Sequence, residues 1–220
     1  MEGGLPGNNK CIILIQARIN STRLPGKILF NFFNEKIIER IIKIAKKVSK
    51  NKNIYLLSGN KNKNQILLSI AKKNKVGIYF GDENNVFLRF KNFLDSKYSQ
   101  KYDYIYRITS DNYLIQPKII KKMIGDALKK KIDYAYVSPL SHYAGEVVSK
   151  QLFKKKKVSK MAKEHVTWDF RSSNKIKILK YPKNFLSLNH SKSITLDTIN
   201  DLVFMKKIEK KFIGLKQVDN

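Results

Sequence analysis

Between positions 16 and 27 the chain reads Gln16-Ala17-Arg18-Ile19-Asn20-Ser21-Thr22-Arg23-Leu24-Pro25-Gly26-Lys27, a segment with two arginines, a lysine, two hydroxyls and a Pro-Gly turn. Arginine offers a planar fork for phosphate oxygens, lysine a point charge, and glycine lets the backbone come close to a ligand. The residue types suit a phosphate-rich ligand. They do not make a Walker loop, which needs glycine at position 21 and serine or threonine at 28, where this chain has Ser21 and Ile28. A lysine-rich protein can carry such a segment as plain polar surface. Arginine is scarce here, however: only six of the 45 basic residues are arginine, and Arg18 and Arg23 are two of them.

Carboxylates form a second set. Asp111 closes the run Arg107-Ile108-Thr109-Ser110-Asp111, where it can attract a divalent cation or cap a turn before Pro117. Further on, Asp197 or Thr198 can cap a helix whose first turn favours Asp201. Of three histidines, His165 stands in Glu164-His165-Val166-Thr167, whereas His142 and His190 have no comparable setting.

Elements of regular structure must bring these groups together. Cys11 to Ile15 reads as a strand, and Glu35 to Ser49 as a helix, because Ile37, Ile38, Ile41, Ile42, Ala45 and Val48 recur at helical spacing. Strands follow at Asn53 to Leu57, Val76 to Phe80, Tyr104 to Thr109 and Asp133 to Val137, separated by helices at Asn64 to Lys73, Asn84 to Ser96 and from Pro117. Such alternation predicts a mostly parallel α/β sheet, Rossmann-like, with its ligand site beyond the carboxyl ends of the strands, where the loop at 16–27 and Asp111 both fall. After Ser138 the rhythm loosens: an extended piece around Gly145 to Phe153, a lysine run at 154–157, a helix near Met161 to Arg171, short strands at Lys175 to Leu179 and Ser193 to Leu196, and a last helix from Ile199.

The 220 residues, 42% apolar, suffice for one domain, expected over 11–220 behind a mobile lead-in at 1–10. A net charge of +28 raises nucleic acid as a partner, but its source is mostly lysine spread along the chain, so no specific nucleic acid is expected. The single Cys11 excludes an internal disulfide and a multi-thiolate metal site, which fits a cytoplasmic location; no apolar run is long enough for a membrane span.

The motifs at Ile15-Gln16-Ala17-Arg18 and Ser21-Thr22-Arg23-Leu24-Pro25-Gly26-Lys27 resemble the signature of the nucleotide-sugar cytidylyltransferases, nearest to the spore-coat polysaccharide type and more distantly to the synthetases of CMP-3-deoxy-manno-octulosonate and CMP-sialic acid. Asp111 resembles that family's metal-binding aspartate, Asp197 the first aspartate of its leucine-aspartate-threonine motif, residues 164–167 its glutamate-histidine-valine-threonine motif, and Gly81 to Phe90 its glycine-acidic run. The resemblance implies a glycosyltransferase-A-like domain that transfers a cytidylyl group from CTP to a sugar acceptor, forms a homodimer and uses Mg2+ held by Asp111 and Asp197. It implies nucleotide contacts from Gln16, Ala17, Arg18, Ser21, Arg23, Gly26, Lys27, Arg89 and Arg107, catalytic roles for Arg18, Lys27 and Asp111, and a sugar-side role for His165. Tyr113, Gln116 and Ser149 stand where those relatives usually have proline, aspartate and a carboxylate, which leaves a non-catalytic relative with an eroded sugar site as the alternative. The irregular stretch from Ser138 to Met161 is a candidate exchanged arm or dimer surface.

Overall fold

A computed structural model describes residues 10–138, 144–155, 157–182 and 195–218, with side chains through 211. His142, His190, Ser193 and Ile194, and all but the last residue of the expected lead-in, lie outside the described residues.

The first apolar run forms β1 (Cys11–Gln16), buried on both faces, as a strand covered by helices on either side must be. β4 (Ile54–Ser58) and β6 (Tyr104–Thr109) pair with it in parallel on opposite edges, and β5 (Gly77–Phe80) adds in parallel to β4. Beyond β6 lies β8 (Glu146–Ser149), antiparallel to both β6 and β7 (Tyr134–Val137), while β9 (Ile178–Tyr181) runs parallel to β7. The sheet order is therefore β5-β4-β1-β6-β8-β7-β9, mostly parallel as expected, with one reversed strand inside it. The chain leaves β1 toward β4 on one side and reaches β6 on the other. Loops after β1 and β6 consequently part around a crevice at the carboxyl end of the sheet.

Helices α1 (Ile37–Lys46) and α4 (Pro117–Lys130) bury their apolar stripes against Ile13 and Ile15 on one face of β1. Helix α3 (Val86–Asp95) packs Phe87, Phe90 and Phe93 with Ile12 and Leu14 on the other. The period-two alternation of one strand thus divides the interior into two cores. Helix α2 (Ile66–Lys73) leans on β5, and the hairpin of β2 (Asn31–Phe32) and β3 (Glu35–Lys36) turns at Phe33 and Asn34, both with positive φ, the backbone of a tight primed turn.

Two expectations change. The helix expected over Met161 to Arg171 is two short ones, α5 (Lys160–Glu164) and α6 (Trp168–Arg171), because the chain leaves helical geometry at His165 and drives Val166 and Thr167 into the interior. The second is the strand expected at Ser193 to Leu196: Thr195 and Leu196 are not in a strand and lead into α7 (Ile199–Val218). Within the stretch from Ser138 to Met161, β8 is hydrogen-bonded on both edges to β6 and β7 of the same chain.

Gly145 opens β8 with φ 75°, and a Cβ there would stand 2.6 Å from the Arg107 carbonyl oxygen. Only glycine lets the strand begin this close to β6 with Glu146 opposite Arg107. Gly145→Ala is expected to lower stability by about 1–3 kcal/mol, read as a fall in the denaturation midpoint, whereas Gly125→Ala, on α4 with open space around it, should be neutral or stabilising.

Candidate active site

The loop after β1 is held by its own backbone. The N–H groups of Ser21 and Gly26 both donate to the Ile19 carbonyl, at 3.0 and 2.9 Å, and that of Ala17 donates to Leu57 of β4. Leu24 and Ile28 are buried anchors, and the Ile19 N–H donates to Oδ1 of Asn64, a fully buried side chain that sequence reasoning passed over. Gly26 takes the left-handed conformation that lets the loop close into the turn carrying Lys27. Pinned in this way, Arg18, Ser21, Thr22, Arg23 and Lys27 all line a cavity of about 990 Å3, and Gln16 lines it from the end of β1. Ala17 and Gly26 shape the loop's backbone without lining the cavity.

Two backbone hydrogen bonds stitch the carboxylates to this loop. Ser110 N–H donates to the Gln16 carbonyl at 3.0 Å, and Leu196 N–H to the Asp111 carbonyl at 3.1 Å, so residues far apart in sequence end side by side. Lys27 Nζ then lies 2.5 Å from Asp111 Oδ2 and 2.7 Å from Asp197 Oδ1, and Arg23 Nη2 lies 2.9 Å from the same Asp197 oxygen. Asp201 is turned away to another task. Its Oδ2 accepts from the backbone N–H groups of Asp197 and Thr198, while Thr198 Oγ1 accepts in return from Asp201 N–H, a reciprocal cap on α7.

The other oxygen of Asp111, Oδ1, is buried and accepts no hydrogen bond among the described residues. An uncompensated carboxylate oxygen beside a second carboxylate is the donor chemistry of a hard divalent cation, and the residues present fit one. The described residues hold no cluster of three or more acidic, histidine or cysteine side chains, so the protein's carboxylate ligands would come from this pair.

A third group was not foreseen. Glu146 is fully buried, and its carboxylate accepts from Arg107 Nη1 at 2.6 Å, Tyr134 Oη at 2.5 Å, Thr167 Oγ1 at 2.8 Å and Arg171 Nη2 at 3.1 Å. Arg107 also donates through Nε and Nη2 to Gln16 Oε1. Burial alone would raise the Glu146 pKa, but the guanidinium groups of Arg107 and then Arg171, with the hydroxyls of Tyr134 and Thr167, outweigh it and hold the carboxyl below its ordinary value of 4.5. Arg107, Thr167 and Arg171 line the cavity, as do Glu164, His165 and the half-exposed Trp168. Arg89 does not: its guanidinium is buried and donates to the carbonyls of Asp82 and Glu83, so it fixes the loop after β5 from behind, and from that loop Asn84 reaches the cavity.

With this geometry in place, comparison with known proteins is specific. Residues 12–211 match the family model described as cytidylyltransferase. The chain belongs to the cytidylyltransferase family. It is 27% identical over 216 residues to the spore coat polysaccharide biosynthesis protein SpsF of Bacillus subtilis, covering 92% of this chain and 88% of that one. A solved cytidylyltransferase from Leptospira borgpetersenii superposes with a TM-score of 0.78 at 25% identity, covering 93% of this chain and 95% of the other. The fold is shared more distantly with CMP:2-keto-3-deoxy-manno-octonic acid synthetase complexed with CTP, at a TM-score of 0.66 and 12% identity over 93% of this chain and 99% of that one. The protein is therefore a nucleotidyltransferase enzyme with a single Rossmann-like α/β domain over the matched residues.

In this cytidylyltransferase Tyr113, Gln116 and Ser149, the residues behind the non-catalytic alternative, fall outside the cavity lining. Tyr113 is buried edge-on against Phe32, Gln116 precedes α4 at its N-cap, and Ser149 pairs with Tyr104 at the end of β6 remote from the crevice.

Glu146 contributes stability above the unfolded carboxyl value, and that contribution is lost as pH falls through its depressed folded value. Glu146→Gln leaves two arginines without their buried counter-charge and should cost about 3–5 kcal/mol near neutral pH. Denaturation midpoints measured downward from neutrality should show the wild type losing more stability below pH 4.5 than the variant does.

Proposed function

We propose that this enzyme transfers the cytidylyl group of CTP to a sugar, an acidic sugar or a sugar phosphate, with release of pyrophosphate, in surface polysaccharide or glycan synthesis, and that Mg2+ is its cation. The name of the Bacillus subtilis relative supports the biosynthetic setting. The observation that carries the reading is the meeting of Lys27 and Arg23, both from the loop after β1, with the carboxylates of Asp111 and Asp197 in one cavity large enough for a nucleotide and a sugar.

In this reading Arg18, Arg23 and Lys27 neutralise the triphosphate, so that negative charge building on the departing pyrophosphate meets fixed positive charge. Asp111 and Asp197 would hold the magnesium ion, which would supply Lewis-acid polarisation of the attacked phosphoryl group. The acceptor oxygen must approach in line with the leaving pyrophosphate, which is a demand on positioning. Arg107, clamped between Gln16 and Glu146, is a rigid donor at the junction of the two substrates, and His165 and Trp168 shape the sugar side. Arg89 acts on the nucleotide side through the loop it holds. A homodimer belongs to this reading, checked by the mass from solution scattering.

The alternative, a non-catalytic relative, drew on Tyr113, Gln116 and Ser149, and none of the three lines the cavity. Pyrophosphate release should be seen with CTP in a screen of nucleoside triphosphates against sugar phosphates and keto-acid sugars. Asp111→Asn and Asp197→Asn are each expected to reduce that rate by about 100-fold or more, without additivity in the double variant, because both act through one ion. Asp201→Asn, which removes charge from a helix cap, should lower stability modestly and leave most activity. Near-wild-type release from either ligand variant removes the metal assignment.

A further inference from the structure

Lys27 and Arg23 bring two positive charges to Asp111 and Asp197, the same total as one divalent ion. The bridging ammonium is enclosed, with its side chain 11% exposed and those of Asp111 and Asp197 19% and 28%. A charge so enclosed stays paired, and Lys27 can leave the carboxylates only to meet another anion. Its flexible four-carbon stem and three rotatable donors allow such a change of partner without moving the loop. The loop that carries it is the one whose residue types suit phosphates.

We infer that Lys27, backed by Arg23, is the resident counter-cation of the Asp111–Asp197 pair, and that a nucleoside triphosphate draws it away, so a divalent ion gains the pair only together with the nucleotide. This rests on the reading of Asp111 and Asp197 as metal ligands. The exchange conserves charge at both ends: two carboxylates facing two basic side chains become two carboxylates facing one divalent ion, while the basic side chains face phosphate oxygens. Neither half is favourable alone, since the metal by itself would strand Lys27, and the nucleotide by itself would strand the carboxylates. By linkage, each ligand raises the other's affinity by the same factor. Lys27 then has two functions in sequence, filling the metal position in the free enzyme and holding phosphate in the loaded one.

Mn2+ binding followed by electron paramagnetic resonance tests this without substrate turnover. Mn2+ alone should bind the wild type weakly, and Lys27→Met or Lys27→Gln should tighten that nucleotide-free binding by about tenfold or more, the ordinary scale of coupling between sites. Arg18→Met removes the same charge from the same loop, from a side chain that forms no ion pair among the described residues, and should change Mn2+ affinity far less. Adding Asp111→Asn to Lys27→Met should abolish the gained site. Equal tightening by Arg18→Met reduces the effect to general electrostatics and overturns the exchange. So does stoichiometric sub-millimolar Mn2+ binding to the nucleotide-free wild type that Asp111→Asn removes, an outcome that needs no folded Lys27 variant. If no form binds Mn2+ even with CTP present, the metal reading itself has failed, and the exchange with it.

Discussion

Two carboxylates brought to the same point must be given positive charge, and the carboxyl end of this sheet is organised around that requirement. Asp111 arrives on the loop after β6 and Asp197 on the approach to α7, joined by the hydrogen bond from Leu196 N–H to the Asp111 carbonyl. Repulsion between them would open the crevice were it not for Lys27. Lys27 can reach both only because Gly26 takes a left-handed turn and Leu24 and Ile28 anchor the loop in the core. The buried anchors, the turn and the ion bridge thus form one mechanical unit, in which apolar packing fixes where charge can stand.

Glu146 repeats the same physics deeper in the sheet with the roles reversed. There one buried carboxylate gathers two arginines instead of one lysine gathering two carboxylates. A reversed strand between β6 and β7 makes this possible, since it puts Glu146 opposite Arg107 and Tyr136 while Tyr134 and Thr167 close over the carboxylate. The two clusters meet at Gln16, whose side chain accepts from Arg107 and whose carbonyl accepts from Ser110. The two clusters therefore share one hydrogen-bonded frame.

The sequence made the elements legible where one force dominated. Ile37 to Ala45 kept helical spacing because a single apolar face decides that segment, and the cluster of scarce arginine marked the loop at 16–27 because bidentate geometry cannot be replaced by lysine. The same signal reached further than the loop. Arg107 and Arg171 join Glu146, Arg89 holds the carbonyls of Asp82 and Glu83, and Arg40 donates to the carbonyl of Tyr113, so each of the six arginines lines the cavity or fixes backbone near it. Glu146 was illegible because nothing local shows that a glutamate between glycine and valine will be buried; its partners come from β6, β7, α6 and the connection before α6, and only the tertiary fold unites them. The helix expected over Met161 to Arg171 breaks into α5 and α6 for a similar reason, since burial of Val166 and Thr167 is a tertiary gain that overrides a plausible local helix.

The lysine coat and the site act on the same class of ligand at different distances. A net charge of +28 gives any polyanion a favourable approach, and that attraction fades within a Debye length in salt and distinguishes one phosphate ester from another poorly. Inside the cavity four basic side chains are already partnered, Lys27 and Arg23 by two aspartates and Arg107 and Arg171 by Glu146, while Arg18 forms no ion pair among the described residues. A polyanion delivered by the surface field therefore finds Lys27 and Arg23 already satisfied, and displacing the aspartates requires a ligand that returns equivalent charge to both sides. An inorganic anion or a nucleic acid backbone offers negative charge only. A triphosphate accompanied by a divalent ion would offer both signs, so under the proposed exchange the balance of charge inside the cavity, rather than its excess outside, would make the site selective.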